Sequence, residues 1–150
     1  MEKSFTFLKG KRRKKSESIF EILGDLDELN AALGLAKAFA NKNLGRQILQ
    51  LQDTLIEIGS FLAGFKKINL VPPTAFLEQK INQIKQPSLK TFVRPGRNKT
   101  SAFLHLSRVI CRRLERKIIK LKRKDLKSLI DYLNLLSNFL FWLAQRKEKN

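Results

Sequence analysis

The sequence predicts an all-α protein, a five-helix up-down bundle formed by one domain that spans all 150 residues. Apolar residues recur at alternating intervals of three and four along most of the chain, which is the spacing of one buried helix face. No segment shows the strict apolar–polar alternation of a half-buried strand. A chain of this length can bury a sizeable core, and short connections between long helices favour antiparallel packing.

Two long apolar stripes fill the first half of the chain and predict helices over about 19–40 and 44–65. The pair Pro72-Pro73 is then expected to break the chain, with Thr74 as the N-cap of a short third helix to about residue 85. Ahead of the first stripe, residues 1–15 form a basic segment that we expect to be solvated and flexible.

The second half of the chain predicts a loop followed by two long helices. The loop covers 87–98 and contains the turn signal Pro95-Gly96. A fourth helix is predicted over about 99–123. Leucines at helical spacing from 126 to 143 predict the fifth helix, and a basic tail follows it.

The net charge of +18 indicates attraction to polyanions such as nucleotides, nucleic acid or an anionic surface. No apolar run approaches the length of a membrane span, and no signal peptide is evident, so a cytoplasmic protein is expected. The lone Cys111 excludes an intramolecular disulfide and predicts a small buried side chain. His105 has no ligand-type partner at helical spacing, so no metal site is predicted.

One cationic row stands out within the predicted fourth helix. A basic residue recurs at every fourth position: Arg108, Arg112, Arg116, Lys120 and Lys124. Like charges at this spacing destabilise a helix by a few tenths of a kcal/mol per pair, so helix stability does not explain the row. Arginine presents a planar fork suited to phosphate or carboxylate, which favours a polyanion or an acidic partner face.

Polar residues also lie beside the apolar stripes of the first and fifth helices. Asp27 and Asn30 flank the first stripe, and Asn134 and Asn138 lie four residues apart near the last one. A buried carboxylate needs a cation or hydrogen-bond donors, and the arginine row could supply them. Two interpretations stay open: a structural network that ties the first helix to the fourth, or one nucleotide pocket lined by all these side chains.

No P-loop or dinucleotide-binding glycine pattern is present, so any ATP site uses another architecture. Three blocks, at 24–36, at 92–96 leading to 108–116, and at 132–137, match one family in order and spacing. The second ends in Arg108-Val-Ile-Cys-Arg-Arg-Leu-Glu-Arg116. On these blocks the chain resembles the ATP:cob(I)alamin adenosyltransferases of the propanediol-utilisation type.

The resemblance implies a five-helix bundle that forms a homotrimer, with active sites between subunits. It implies that Co(I) of a reduced corrinoid attacks the 5′ carbon of ATP, which expels triphosphate and yields adenosylcobalamin. ATP and cobalamin are then the substrates, and Mg²⁺ accompanies the nucleotide. No protein metal ligand, membrane partner or nucleic-acid partner is implied.

Residue roles carried over by position are also implications of the resemblance. The ATP-binding positions are Thr6, Lys15, Arg112, Arg113, Glu115, Arg116 and Asn134, with Asn30 and Asn138 as further lining residues. Arg112 is placed to stabilise the leaving triphosphate. Arg108 and Asp27 match a salt bridge that helps to build the intersubunit site. Phe92 matches an aromatic residue that displaces the lower ligand of the corrinoid.

Three features depart from the family pattern. A Thr-Gly-Asp-x-Gly loop usually opens the family, but this chain has none. Gly96-Arg97 stands where Gly-Gly is usual, and Asn138 replaces an aspartate. Two alternatives therefore accompany the enzyme hypothesis: a family member that binds corrinoid or nucleotide without turnover, and a basic helical protein that binds nucleic acid, supported by charge alone.

Overall fold

A computed structural model describes residues 5–148 and confirms the predicted helical bundle. The five α-helices are α1 (Ser18–Ala38), α2 (Lys42–Leu62), α3 (Val71–Asn82), α4 (Lys99–Ile119) and α5 (Lys127–Glu148). A short 3-10 helix (Lys124–Leu126) precedes α5. Two strands, β1 (Phe5–Leu8) and β2 (Lys11–Lys14), form an antiparallel hairpin ahead of α1.

The core lies among helices whose buried faces follow the predicted stripes. Helix α1 packs on α2 and α4, while α5 packs on α4 and α3, so α1, α4 and α5 are the central elements. Tyr132 and Phe139 are the largest fully buried side chains, and the rest of the core is mostly leucine and isoleucine. This burial is the main stabilising term of the fold.

Side-chain caps fix where two long helices begin. Asn41 accepts a hydrogen bond from the Leu44 amide at 2.9 Å at the start of α2. Asn98 accepts from the Ser101 amide at 2.9 Å at the start of α4. Its Nδ2 also donates to the Lys147 carbonyl at 2.8 Å, so the cap of α4 holds the last turn of α5.

The hairpin corrects the expectation of a flexible basic segment. Leu8 pairs with Lys11, and the two-residue turn between them places Lys9 at φ 50° and Gly10 at φ 73°. Positive φ at both turn positions is the geometry that matches the twist of paired strands. All four β2 residues are cationic and exposed, so β2 carries no apolar alternation from which a strand could be predicted. Residues 1–4 lie outside the described residues.

Helix boundaries correct two further expectations. Pro72 and Pro73 lie in the first turn of α3, where a missing amide costs nothing, and the Thr74 amide donates to the Leu70 carbonyl at 2.9 Å. Thr74 is therefore not an N-cap. Helix α4 ends at Ile119, before Lys122 at φ 52°. The last member of the predicted row, Lys124, consequently lies in the 3-10 helix and not on α4.

Candidate functional site

Helix α4 carries two parallel basic rows that differ in their surroundings. The outer row consists of Arg108, Arg112 and Arg116, continued by Lys120 at the C-cap of α4, and the inner row consists of Arg113 and Lys117. Arg112 and Arg116 are exposed, and no carboxylate among residues 5–148 forms an ion pair with either side chain. The outer row therefore presents uncompensated positive charge.

The inner row is neutralised by three carboxylates of α1, and we name these five side chains the α1–α4 clamp. Asp25 Oδ2 lies 2.9 Å from Lys117 Nζ and 3.3 Å from Arg113 Nε. Arg113 also pairs with Glu28, and Lys117 lies 3.6 Å from Glu21. Hydrogen bonding to Asp25 is the main reason that the pKa values of Arg113 and Lys117 are raised.

The buried carboxylate of α1 is Asp25, which is 7% exposed, whereas Asp27 is exposed. The sequence interpretation that treated Asp27 as the buried carboxylate is therefore wrong, although a polar network does tie α1 to α4. The sequence contained the signal that was missed. Asp25 follows Ile22 by three residues and precedes Leu29 by four, so it lies on the apolar stripe itself.

Arg108 and Asp27 lie at different levels of the bundle. Asp25 contacts Lys117 and Phe39 stacks on Phe103, so α1 and α4 are antiparallel and Arg108 is level with Gly34. Seven helical residues, roughly 10 Å, separate that level from Asp27. The two side chains do not pair within residues 5–148, and their salt bridge between subunits stays a prediction.

Arg108 occupies a partly buried position against α5. Its guanidinium carbon lies 5.7 Å from the centre of the Phe141 ring, and its buried Nε has no hydrogen-bond partner among the described residues. Burial lowers the pKa of Arg108, and the neighbouring charge of Arg112 lowers it further. A second charge close to this group is unfavourable unless an anion joins them.

The structure brings several predicted site residues together between α4 and α5. Asn134 Nδ2 donates to Glu115 Oε1 at 3.3 Å. The contacts of Arg108 with Phe141 and of Glu115 with Asn134 fix the register, so Arg112, which lies between them on α4, is level with Ser137, one residue before Asn138. The result is an exposed strip of guanidinium, carboxylate and amide groups along the two helices.

Other predicted residues lie around this strip. Thr6 is on β1, opposite Arg13, and Lys15 is exposed directly after β2. The hairpin lies beside Leu121 at the end of α4, near the last member of the outer row. The Oδ1 atom of Asn30 is buried without a hydrogen-bond partner among the described residues, while its carbonyl accepts from Gln52 at 3.2 Å.

Phe92 lies apart from these groups, on the loop between α3 and α4, where its ring is fully exposed. Loop residues 88–97 and Gln145 line an open cavity of about 750 Å³. Gln145 Nε2 is 3.4 Å from His105 Nε2, which lies one turn before Arg108 on α4. The Phe92 loop is thus at the N-terminal end of α4, and the hairpin is at its other end.

Interior polar groups show which residues serve the fold. Cys111 is fully buried and its thiol donates to the Leu133 carbonyl at 3.3 Å, which confirms the predicted structural role. His105 is buried with the Phe141 ring edge-on to it.

Within the part of the chain that the structure describes, no three His, Cys, Asp or Glu side chains are grouped to hold a metal ion. None of the described helices is long and apolar enough to cross a membrane.

A family model for cobalamin adenosyltransferases matches residues 2–147. Among curated relatives, the corrinoid adenosyltransferase of Bacillus subtilis is 33% identical, and the match covers 96% of this chain and 81% of the relative. The bovine corrinoid adenosyltransferase MMAB is also 33% identical, over 91% of this chain. The chain spans about two thirds of the length of the mammalian relatives, at 64% for the bovine and 61% for the human protein.

Solved structures give the same result for the fold. A variant PduO-type adenosyltransferase from Lactobacillus reuteri complexed with ATP is 29% identical with a TM-score of 0.85 and covers 98% of this chain and 90% of its own. A second variant, complexed with cobalamin and ATP, is 28% identical with a TM-score of 0.85 and covers 98% and 87%.

Proposed function

The chain belongs to the cobalamin adenosyltransferase family, and we propose that it transfers the 5′-deoxyadenosyl group of ATP to the Co(I) of a reduced corrinoid. In this reaction a cobalt–carbon bond forms while the bond between the 5′ carbon and the triphosphate oxygen breaks. The observation that carries the proposal is the uncompensated outer row beside the Glu115–Asn134 pair. A relative complexed with both cobalamin and ATP supports the choice of substrates.

Arg112 and Arg116 are proposed to bind the triphosphate. Both guanidinium groups are exposed and unpaired among the described residues, so they are available to an anion without first breaking an ion pair. Negative charge builds up on the bridging oxygen as the triphosphate leaves. Cations already in place there stabilise the transition state more than the ground state.

The adenosine side of the nucleotide is assigned to the strip between α4 and α5. Asn134 and Glu115 offer a donor and acceptors to a base or ribose, with Asn30 and Asn138 as further polar groups near the strip. Thr6 and Lys15 of the hairpin segment are proposed to complete the phosphate site. Arg113 stays a predicted ATP contact, although its present partners are the carboxylates of the clamp.

A homotrimer with intersubunit sites is part of the proposal. The exposed faces of α1 and α4 carry Leu35, Leu106 and Val109, each more than 40% exposed. Apolar side chains grouped on one face favour contact with another subunit. Such a contact would let Arg108 meet the Asp27 of a neighbouring subunit, which the register within one chain prevents.

Phe92 is proposed to act on the corrinoid, because a fully exposed aromatic ring on a loop is free to insert beside cobalt and displace its lower ligand.

Mg²⁺ is proposed to enter with ATP as part of the substrate. No cluster of ligating side chains among residues 5–148 fits a dedicated ion. The cytoplasmic location stays a prediction from the sequence.

The direct test is to mix the purified protein anaerobically with Mg-ATP and chemically reduced cobalamin and to follow the corrinoid absorption spectrum. We expect a spectrum of adenosylcobalamin that requires ATP, together with equimolar triphosphate. Binding of both substrates without turnover would instead identify a non-catalytic family member. Light scattering after size-exclusion chromatography tests the trimer separately.

A further inference from the structure

A cavity of about 480 Å³ lies between the end of α3 and the last turns of α5, and the proposed reaction does not yet use it. Ile84, Pro87 and Trp142 give it apolar walls, and Lys85 and Arg146 add positive charge. None of the described residues that line it is acidic. Its volume is within the range of small-molecule sites, and its composition favours an apolar, flat ligand with negative charge.

This cavity adjoins the one that holds Phe92. Gln145 lines both cavities, so the two spaces meet at one side chain of α5. A group displaced from cobalt by an aromatic ring on the Phe92 loop would therefore be released beside Trp142. Since the Phe92 loop is the proposed corrinoid contact, a part of the corrinoid substrate is the candidate occupant of this cavity.

Trp142 is held in a fixed orientation. It packs on the core and lies edge-to-face with Phe141, with ring centres 4.9 Å apart. A ring that is already ordered loses little side-chain entropy when a flat group stacks on it. Such a surface is suited to a planar aromatic ligand.

Resting on the proposed function, we propose that this cavity binds the displaced nucleotide tail of cobalamin. That tail is a benzimidazole base on a ribose, joined to the corrin ring through a phosphodiester with one negative charge. The base would stack on Trp142 beside Pro87, and the phosphodiester would face Lys85 and Arg146. Holding the tail in this cavity keeps the lower ligand away from cobalt, which favours the four-coordinate Co(II) that is easier to reduce.

The test compares cobalamin with cobinamide, a corrinoid that lacks the nucleotide tail. Calorimetric Kd values for both, measured with the Co(II) forms and Mg-ATP, need no turnover. Trp142→Leu should weaken cobalamin binding about tenfold through lost stacking and leave cobinamide unchanged. Arg146→Met should weaken cobalamin alone by about two- to fivefold, because its contact is exposed.

The matched control is Arg46→Met, which removes an exposed cation of α2 that does not line the cavity. Arg146 is itself exposed, so the Arg146→Met variant distinguishes a loss of binding from any loss of packing caused by Trp142→Leu.

Equal effects on both corrinoids, or no effect on either, would overturn the tail site while turnover by the wild type still supports the proposed function. Selective cobalamin binding without turnover would support the tail site and overturn the enzyme proposal. A wild type that binds neither corrinoid would overturn both.

Discussion

The outer and inner basic rows of α4 have the same spacing and opposite surroundings. Arg112 and Arg116 are four residues apart and have no carboxylate partner among residues 5–148, whereas Arg113 and Lys117, also four apart, share Asp25. Like charges four residues apart oppose helix formation in both cases. The clamp removes this repulsion for one row and leaves it in the other, where only an added anion can relieve it.

This difference indicates how one helix can serve both the fold and the proposed anion site. The inner row fixes α4 against α1, and adjacent positions on the same rigid backbone then hold the outer row in place. Charged groups that are pre-positioned need little reorganisation when an anion arrives. Variants that alter one row and leave the other intact are therefore the most informative.

The largest effect is expected from Arg112→Ala. On the proposed assignment, this change removes the cation that stabilises the leaving triphosphate, so kcat should fall by about 100- to 1000-fold while unfolding by urea stays unchanged. Arg46→Ala, which removes an exposed arginine from α2, is the matched control and should keep full activity. Near-normal turnover by Arg112→Ala would mean that the outer row does not act on triphosphate.

A smaller effect, on stability, is expected when the clamp loses its central carboxylate. Asp25→Asn should lower the free energy of unfolding by about 1–2 kcal/mol. This loss is smaller than that expected from breaking a fully buried ion pair, because Arg113 and Lys117 are partly exposed. Urea denaturation measures this change. Asp53→Asn on the exposed face of α2 should stay within about 0.5 kcal/mol of the wild type. Equal values for the two variants would remove the distinction between the rows.

The pH dependence of the clamp provides a finer test. Lys117 has a pKa raised above its ordinary 10.5, so its stabilising charge is fully present below that pH and is lost as the pH rises through the raised value. The difference in unfolding free energy between wild type and Lys117→Met should therefore be constant near neutrality and shrink in strong alkali. Lys120→Met, on the outer row, should show no such trend. A difference that persists unchanged in alkali would contradict the clamp.

The smallest effect concerns Cys111, which lies inside α4 next to the outer row. Burial raises the pKa of its thiol above the ordinary 9.0, with a further contribution from Glu115. The folded protein should react with a thiol-specific chromogenic disulfide only as fast as it opens, and the urea-unfolded protein should react at once. Rapid labelling of the folded protein would show that this side of α4 is less tightly packed than the structure indicates.

The sequence predicted the four long helices because each carries an apolar stripe that fits only one burial pattern. It did not predict the hairpin, since β2 is a run of four exposed cations whose only structural signal is the Lys9-Gly10 turn. It also misjudged Pro72-Pro73, because a proline pair breaks a helix interior and begins a helix equally well. In both cases a local sequence signal, the basic run or the proline pair, is compatible with two different backbone structures.

The candidate site was predictable in its residue types and less so in the partners of those residues. The arginine row stood out by spacing alone, but the identity of the buried carboxylate depends on how α1 and α4 are aligned. That alignment puts Asp25 beside Lys117 and leaves Arg108 level with Gly34. Helix register is a property of the packed core and is not encoded in either helix taken by itself.

The segment between α3 and α4 is anchored at both ends, by the burial of Ile84 and by the bond from Asn98 to the Lys147 carbonyl. Phe92 lies between these two anchors, so a rearrangement of the loop would not require the helices to separate. Fixing the backbone of one free residue costs about 1–2 kcal/mol of conformational entropy. A loop residue that is already restrained by the two anchors costs less to fix when a ligand binds. The cap of α4 thus also restrains the loop that carries the exposed Phe92 ring, and lengthening this loop should weaken the proposed corrinoid binding at Phe92 without altering any contact within the bundle.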